Sequence, residues 1–227
     1  MKYHIEFDLA LRENPYPGLY IALEGTEASG KSTQVKILED YFKGKGREVV
    51  LTREPRKEGL IGDMVHKILL GELELNPIAF QYLFSADRML NHADVIEPAL
   101  KQGKVVISDR CFWSAVVYGI LDKSEGVSKQ SVDRLLVAQS ILSFYHQFIA
   151  PDLLFYLRIP LSTSLSRLGT KTEAKEIYES EDKIRKVIKG YDFLLENFKD
   201  DIIEIDGNES IDMVTKNMIK RIEKLSK

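Results

Sequence analysis

The sequence predicts an α/β domain: a doubly wound, five-stranded parallel sheet flanked by helices. Two observations carry that prediction. Five short runs, Leu19 to Glu24, Glu48 to Arg53, Lys104 to Asp109, Asp152 to Ile159 and Asp201 to Ile205, are nearly continuous in Val, Ile, Leu and aromatic residues. That is the pattern of strands covered on both faces. The segments between them follow helical periodicity, and strands that alternate with helices pair in parallel and gather ligands at their carboxyl ends.

Taken in order, residues 1–17 form an N-terminal extension ahead of the first core strand. Within it Tyr3, Ile5, Phe7 and Leu9 alternate with Lys2, His4, Glu6 and Asp8. This predicts an amphipathic edge strand closed by Pro15 and Pro17. Residues 18–227 read as one domain, without repeats, low-complexity tracts or an interdomain linker. The glycine-rich turn opens a helical pattern carried by Val35, Leu38, Tyr41 and Phe42. Residues 168–182, LGTKTEAKEIYESED, are polar and weakly periodic, and read as a small lid or a solvated loop. The last helix is capped by Ser210 and carries Ile211, Val214, Met218, Ile222 and Leu225 at helical spacing.

Composition narrows the function classes. A chain of 227 residues with 44% hydrophobic and 30% charged residues is that of a globular domain. Lys plus Arg number 32 against 35 Asp plus Glu, a net charge of −3. That balance argues against coating of nucleic acid or a membrane surface, while leaving room for a local basic pocket. The lone cysteine, Cys111, cannot close an internal disulfide or build a zinc cluster, which predicts a cytoplasmic location. No apolar run approaches a membrane span, and the start MKYHIEFD is too acidic for a targeting peptide.

The most informative segment is YIALEGTEASGKSTQ, residues 20–34. Gly25, Gly30, Lys31 and Ser32 satisfy G-x-x-x-x-G-K-[ST], a match expected by chance in roughly one such chain in a hundred. It follows a hydrophobic run and opens a helical pattern, as its chemistry requires. Backbone N–H groups and an unsatisfied helix N-terminus aim at anionic phosphates, and glycine lets the backbone approach them. Lys31 is placed to neutralise the β and γ phosphates, and the Ser32 hydroxyl to ligate Mg²⁺. The segment is read as binding a nucleoside triphosphate. With no guanine-reading N-K-x-D motif downstream, ATP is the expected donor.

Three further clusters fall where a second ligand belongs. Thr52-Arg53-Glu54-Pro55 ends the second strand, and Asp109-Arg110 ends the third. An arginine there can hold a phosphate bidentately, and an aspartate can organise Mg²⁺. In FQYLFSADRMLNH, Phe84 and Arg88 lie four residues apart on one helix face. Such a pair can stack on a base and donate to its carbonyl, yet spacing alone favours a core Phe beside an exposed Arg. Ser114 and Tyr118, also one turn apart, read equally well as packing residues.

In combination the segments resemble the successive signatures of thymidylate kinases (dTMP kinases). These are EGTEASGKSTQ, TREP, LFSADR, SDR followed by Ser114 and Tyr118, and PDLLFYL at 151–157, in the family's order across residues 20 to about 206. The resemblance implies a P-loop NTPase-like fold, Mg²⁺ as cofactor, and transfer of the γ-phosphoryl group of ATP to dTMP, giving dTDP and ADP for dTTP synthesis. It implies that Gly25, Thr26, Glu27, Ala28, Ser29, Gly30, Lys31, Ser32 and Thr33 hold ATP, with Arg167 near its adenine. Arg53 and Arg110 would hold the acceptor phosphate, Phe84 would stack on thymine, and Arg88 would bond its O4. Ser114 and Tyr118 would complete the acceptor site, with Tyr118 below the sugar and Glu27 near the 3′-hydroxyl. Lys31, Arg110, Asp109 and Glu27 would then be the catalytic set, and Ser32 and Asp109 the metal ligands. A homodimer built from helices is also implied, with the apolar segment Val132 to Ile149 compatible with its interface.

The sequence departs from the family pattern at several points. Cys111 stands where an aromatic is usual, and Ala115 lacks the polar group some members offer to thymine. Ala28 leaves the phosphate loop without the arginine of one subgroup. The lid offers Lys171 and Lys175, with Ile177 near where the other subgroup carries its arginine. The residues alone also fit a kinase for another pyrimidine monophosphate or a deoxynucleoside. They fit, too, a weakly catalytic nucleotide-binding module that assembles partners through residues 132–149.

Overall fold

The computed structural model describes residues 10–126, 134–170 and 176–225. The expected edge strand at residues 3–9 and the lid lysines Lys171 and Lys175 lie outside the described residues. The chain runs β1 (Leu19–Glu24), α1 (Lys31–Gly44), β2 (Val49–Arg53), α2 (Leu60–Leu69), α3 (Pro77–Asn91), a π-helical turn (His92–Ile96) and α4 (Glu97–Lys101). It continues through β3 (Val105–Asp109), α5 (Phe112–Gly126), α6 (Arg134–Tyr145), β4 (Leu153–Arg158), α7 (Leu161–Gly169), α8 (Glu181–Asn197), β5 (Ile203–Asp206) and α9 (Ile211–Ile222).

Among the described residues five strands form one sheet in the order β2-β3-β1-β4-β5, with every pairing parallel. The two-residue period of the strands divides the core in two. Tyr20, Ala22, Val106 and Leu154 face one layer, packed by α3, α5, α6 and α8. Leu19, Ile21, Leu23, Val105 and Phe155 face the other, packed by Val35, Leu38 and Phe42 of α1 and Val214, Met218 and Ile222 of α9. Both faces of β1 are covered, which explains its unbroken apolar run. Ser210 caps α9 as expected, accepting from the N–H of Met213. Ile211, however, is 55% exposed rather than core-facing; it lies at the edge of the large cleft described below.

Local chemistry sets the helix boundaries. Asn76 caps α3 with Pro77 in its first turn, where proline's missing N–H costs nothing. The wide π turn that follows α3 ends two residues before Pro98, whose ring has no N–H to give to a carbonyl one turn back. Ser180 caps α8, with Glu181 and Asp182 placed against the positive end of its dipole. The end of the segment expected as a lid is therefore the first turn of a helix.

Residues 10–17 are fastened to the domain. Arg12 forms an isolated parallel bridge to Ile149, and its guanidinium pairs with Glu97 at 3.3 Å. Tyr16 Oη donates to Glu97 Oε1 at 2.6 Å, and Asn14 donates to Asp152 Oδ2 at 2.7 Å. No helix of the described residues is long and apolar enough to cross a membrane.

Candidate active site

Register brings the sequence-predicted groups to one end of the sheet. Leu23 and Arg53 both pair with Asp109 across β1, β3 and β2. The glycine turn after β1 therefore lies level with the ends of β2 and β3. In that turn Gly25 adopts φ +154, and a Cβ there would meet Ser29 Oγ at 2.5 Å and Leu157 O at 2.9 Å. Gly30 takes a left-handed φ of 99 and opens α1 without a side-chain cap, so the first N–H groups of α1 are left for a ligand.

Lys31 is only 6% exposed. Its Nζ donates to Gly25 O at 3.1 Å and Thr26 O at 2.9 Å. Burial, reinforced by the positive charge of Arg110, lowers its pKa. Ser32 Oγ donates to Asp109 Oδ2 at 2.7 Å, joining the first turn of α1 to the end of β3. Arg167 Nη1 donates to Ala28 O at 3.1 Å, across the loop's outer edge. Residues 27–33, Arg53, Asp109, Arg110 and Arg167 all line one cleft of about 970 Å³. Gly25 and Thr26 lie behind the loop instead. The Gly25 N–H donates to Tyr191 Oη, and Thr26 Oγ1 is buried without a hydrogen-bonding partner among the described residues.

The two arginines at neighbouring strand ends differ in character. Arg53 is exposed in the cleft and forms no ion pair with another described residue. Arg110 is buried in a left-handed backbone conformation, φ 74. It donates to Gly25 O at 3.1 Å and Ser114 Oγ at 3.3 Å, and pairs with Glu27. Tyr118 Oη also donates to Glu27, at 3.4 Å.

Behind these groups stands Glu24, which sequence reasoning missed. Its Oε1 accepts from the N–H groups of Cys111 and Ser114, each at 3.0 Å. Its Oε2 accepts from Ser114 Oγ at 2.6 Å and Tyr191 Oη at 2.7 Å. One carboxylate thus satisfies the start of α5, a favourable place for negative charge, and links it to α8 beneath the glycine turn. The only signal was an acidic residue closing an otherwise apolar strand, LYIALE.

A second, smaller cavity of about 40 Å³ adjoins the cleft, lined by Phe84, Arg88, Ser114, Ala115, Tyr118 and Tyr178 among others. Glu27, Pro55, Leu69, Arg110 and Glu176 line both spaces. Arg88 overturns the expectation from spacing, being 3% exposed. Two segments clasp crosswise here. Glu54 takes Arg88 Nε at 2.9 Å, while Asp87 takes Arg56 Nε at 2.9 Å and the Arg56 N–H at 2.8 Å. Asn91 Nδ2 donates to the other Glu54 oxygen at 3.2 Å. Burial pushes Glu54 up to about 7, against the pull of Arg88. The Arg88 guanidinium lies 5.4 Å from the Phe84 ring centroid. Tyr178 corrects the polar-loop expectation: it is buried edge-on against Tyr118, with ring centroids 4.8 Å apart. The Ile177 N–H anchors the same segment by donating to Leu69 O at 2.9 Å.

The arrangement thus offers a polyanion cradle beside a lined, partly aromatic pocket with a fixed guanidinium. The family model "Thymidylate kinase" matches residues 23–218, which contain every residue lining the two cavities. The chain belongs to the thymidylate kinase family. It is 33% identical to the thymidylate kinase of Thermosipho africanus over 207 residues, covering 91% of this chain and 98% of that one. It is 32% identical to the thymidylate kinase of a Sulfurihydrogenibium species, covering 92% and 98%. Among solved structures, the thymidylate kinase of Candida albicans superposes with a TM-score of 0.76 at 26% identity, covering 91% of this chain and 92% of that one. The fastened residues 10–17 precede the family match.

Proposed function

We propose that this protein transfers the γ-phosphoryl group of ATP to dTMP, giving dTDP and ADP. The observation that carries this reading is the meeting of the two cavities at Arg110 and Glu27, with Lys31 on the larger side and Phe84 and Arg88 on the smaller. ATP occupies the cradle lined by residues 27–33, with Gly25 and Thr26 supporting it from behind and Arg167 beside its adenine. The dTMP phosphate lies between Arg53 and Arg110, and its base lies over Phe84 with O4 toward Arg88.

A phosphate oxygen is already anionic near neutral pH, so the chain's main work is positioning and charge compensation. Two unit charges 4 Å apart repel by roughly 4 kcal/mol at an effective dielectric of about 20. Lys31, Arg53 and Arg110 offset that repulsion. The Ser32 hydroxyl and Asp109 carboxylate, hard oxygen donors 2.7 Å apart, suit Mg²⁺, which takes few protein oxygens and leaves the rest to water and phosphate. Ser32 and Asp109 would hold the ion, which would supply positive charge against the phosphates. Tyr118 and Glu27 sit beside Arg110 on the sugar side, and Ser114 supports Arg110 from below.

The reading includes a cytoplasmic homodimer. Its interface is the face where α3 and α6 expose Ile78, Tyr82, Met89, Leu90 and Phe144, with the Tyr82 and Phe144 rings 5.5 Å apart. Lys171 and Lys175 are the proposed lid charges. The test is Mg-ATP with a panel of nucleosides and monophosphates, scored for diphosphate and ADP. Equimolar dTDP and ADP, with dTMP the preferred acceptor, is the expected result. Phosphorylation of nucleosides instead, or tight ATP binding without ADP formation, overturns it.

A further inference from the structure

Tyr145 closes α6 and belongs to none of the sequence motifs. It is 1% exposed. The Phe112 ring stacks on it at 5.8 Å and Phe148 meets it edge-on at 5.0 Å, so its hydroxyl has a fixed position. That oxygen lies 3.3 Å from Arg88 Nη1 and 2.7 Å from Ser85 Oγ.

The direction of the chain of hydrogen bonds follows from counting protons. Ser85 has one hydroxyl hydrogen, and it goes to Gln81 O at 2.8 Å. Tyr145 must then donate to Ser85, leaving its own oxygen to accept from Arg88. The relay runs from Arg88 through Tyr145 and Ser85 to the Gln81 carbonyl. Arg88 has five N–H groups; Glu54 holds the one on Nε and Tyr145 one on Nη1. Contacts at two separate points fix both the plane and the rotation of the guanidinium, and three N–H groups remain for a ligand in the smaller cavity, which Arg88 lines.

We infer that Tyr145 is a positioning residue for acceptor selection: through Arg88 it sets the discrimination between pyrimidines with a 4-carbonyl and those with a 4-amino group. This rests on the proposed function. A guanidinium locked in place meets the carbonyl with N–H donors and meets an amino group donor to donor, leaving buried polar groups unpaired. A guanidinium free to turn loses that contrast.

The experiment compares the wild-type protein with Tyr145→Phe and Ser85→Ala, using dTMP and dCMP as acceptors. Tyr145→Phe keeps the ring and its packing. It is expected to raise KM for dTMP about tenfold with kcat changed less than twofold, and to lower the dTMP-to-dCMP ratio of kcat/KM by about tenfold. Ser85→Ala removes the acceptor that orients the Tyr145 hydroxyl and is expected to shift both quantities in the same direction by a smaller factor. An unchanged ratio and KM in Tyr145→Phe, or a loss confined to kcat that follows a lowered Tm, overturns the inference while leaving the dTMP kinase reading intact. A wild-type protein that does not phosphorylate dTMP overturns both.

Discussion

Glu54 and Arg88, 34 positions apart in the chain, form a buried ion pair with 2.9 Å between Oε2 and Nε. Removing one partner of such a pair leaves the other charge without compensation. Arg88→Ala is expected to destabilise the fold by about 3–5 kcal/mol at pH 8. The sign of its pH dependence follows from Glu54, whose pKa in the fold, about 7, lies above its ordinary 4.5. A raised carboxyl favours the folded state below the unfolded pKa, and that contribution is lost as pH rises through about 7. Without Arg88 the raising effect of burial acts unopposed by that charge. The deficit of Arg88→Ala relative to wild type should therefore shrink between pH 8 and pH 5, read from urea midpoints. A deficit that stays constant would mean that Glu54 does not titrate there.

Lys31→Ala is expected to lower kcat by at least about 10²-fold, the scale of losing one preorganised electrostatic group. Coupled measurement of ADP release checks this. Near-normal turnover would remove Lys31 from the reaction.

Asp109→Asn retains the shape of the group that accepts from Ser32 but loses its charge. The Mg²⁺ concentration for half-maximal activity is expected to rise about tenfold or more. A titration of activity against Mg²⁺ decides it, and an unshifted curve would argue that the ion lies elsewhere.

His92 gives the opposite pH signature from Glu54. Its Nε2 accepts from the Ile149 N–H at 2.8 Å, and burial lowers its pKa to about 4. Glu97 raises it and Arg12 lowers it in turn. A depressed histidine supplies stability that is present above its ordinary value of 6.5 and lost as pH falls through about 4. His92→Gln should therefore flatten the stability profile between pH 6.5 and 4, measured by chemical denaturation. An identical slope in both proteins would place the acid sensitivity at another group.

Neutralising Lys171 and Lys175 together as glutamines tests the proposed lid charges. Turnover is expected to fall about tenfold with KM for dTMP little changed. Unaltered turnover would take the lid out of the reaction.

Particular residues show what the sequence could and could not reveal. β1, β3 and β4 were legible because burial on both faces removes alternation and leaves apolar runs. The phosphate turn was legible because its chemistry demands glycine and lysine at fixed spacing within eight positions, Gly25 to Ser32. Glu24 was not, since its meaning depends on Tyr191, 167 positions away. The burial of Arg88 was invisible for the same reason: a helix face reveals its own periodicity, but not the Glu54 that makes a buried cation tolerable. Tyr178 lay inside a polar stretch, and only its contact with Tyr118 separates a packed wall from a solvated loop. Ile211 fitted an apolar stripe by spacing, yet the buried part of that stripe begins one turn later, at Val214, and Ile211 itself borders the cleft.

Glu24 carries a practical lesson for anyone scanning this protein for essential positions. It lines neither the large nor the small cavity, so a screen for dead variants would flag it beside the nucleotide-contacting residues and suggest a chemical role it does not have. The damage from losing it would be architectural. One anchor lost would unfasten the glycine turn, the first turn of α5 and the Tyr191 side chain together, and inactivity would come from scattered parts rather than from a missing reagent.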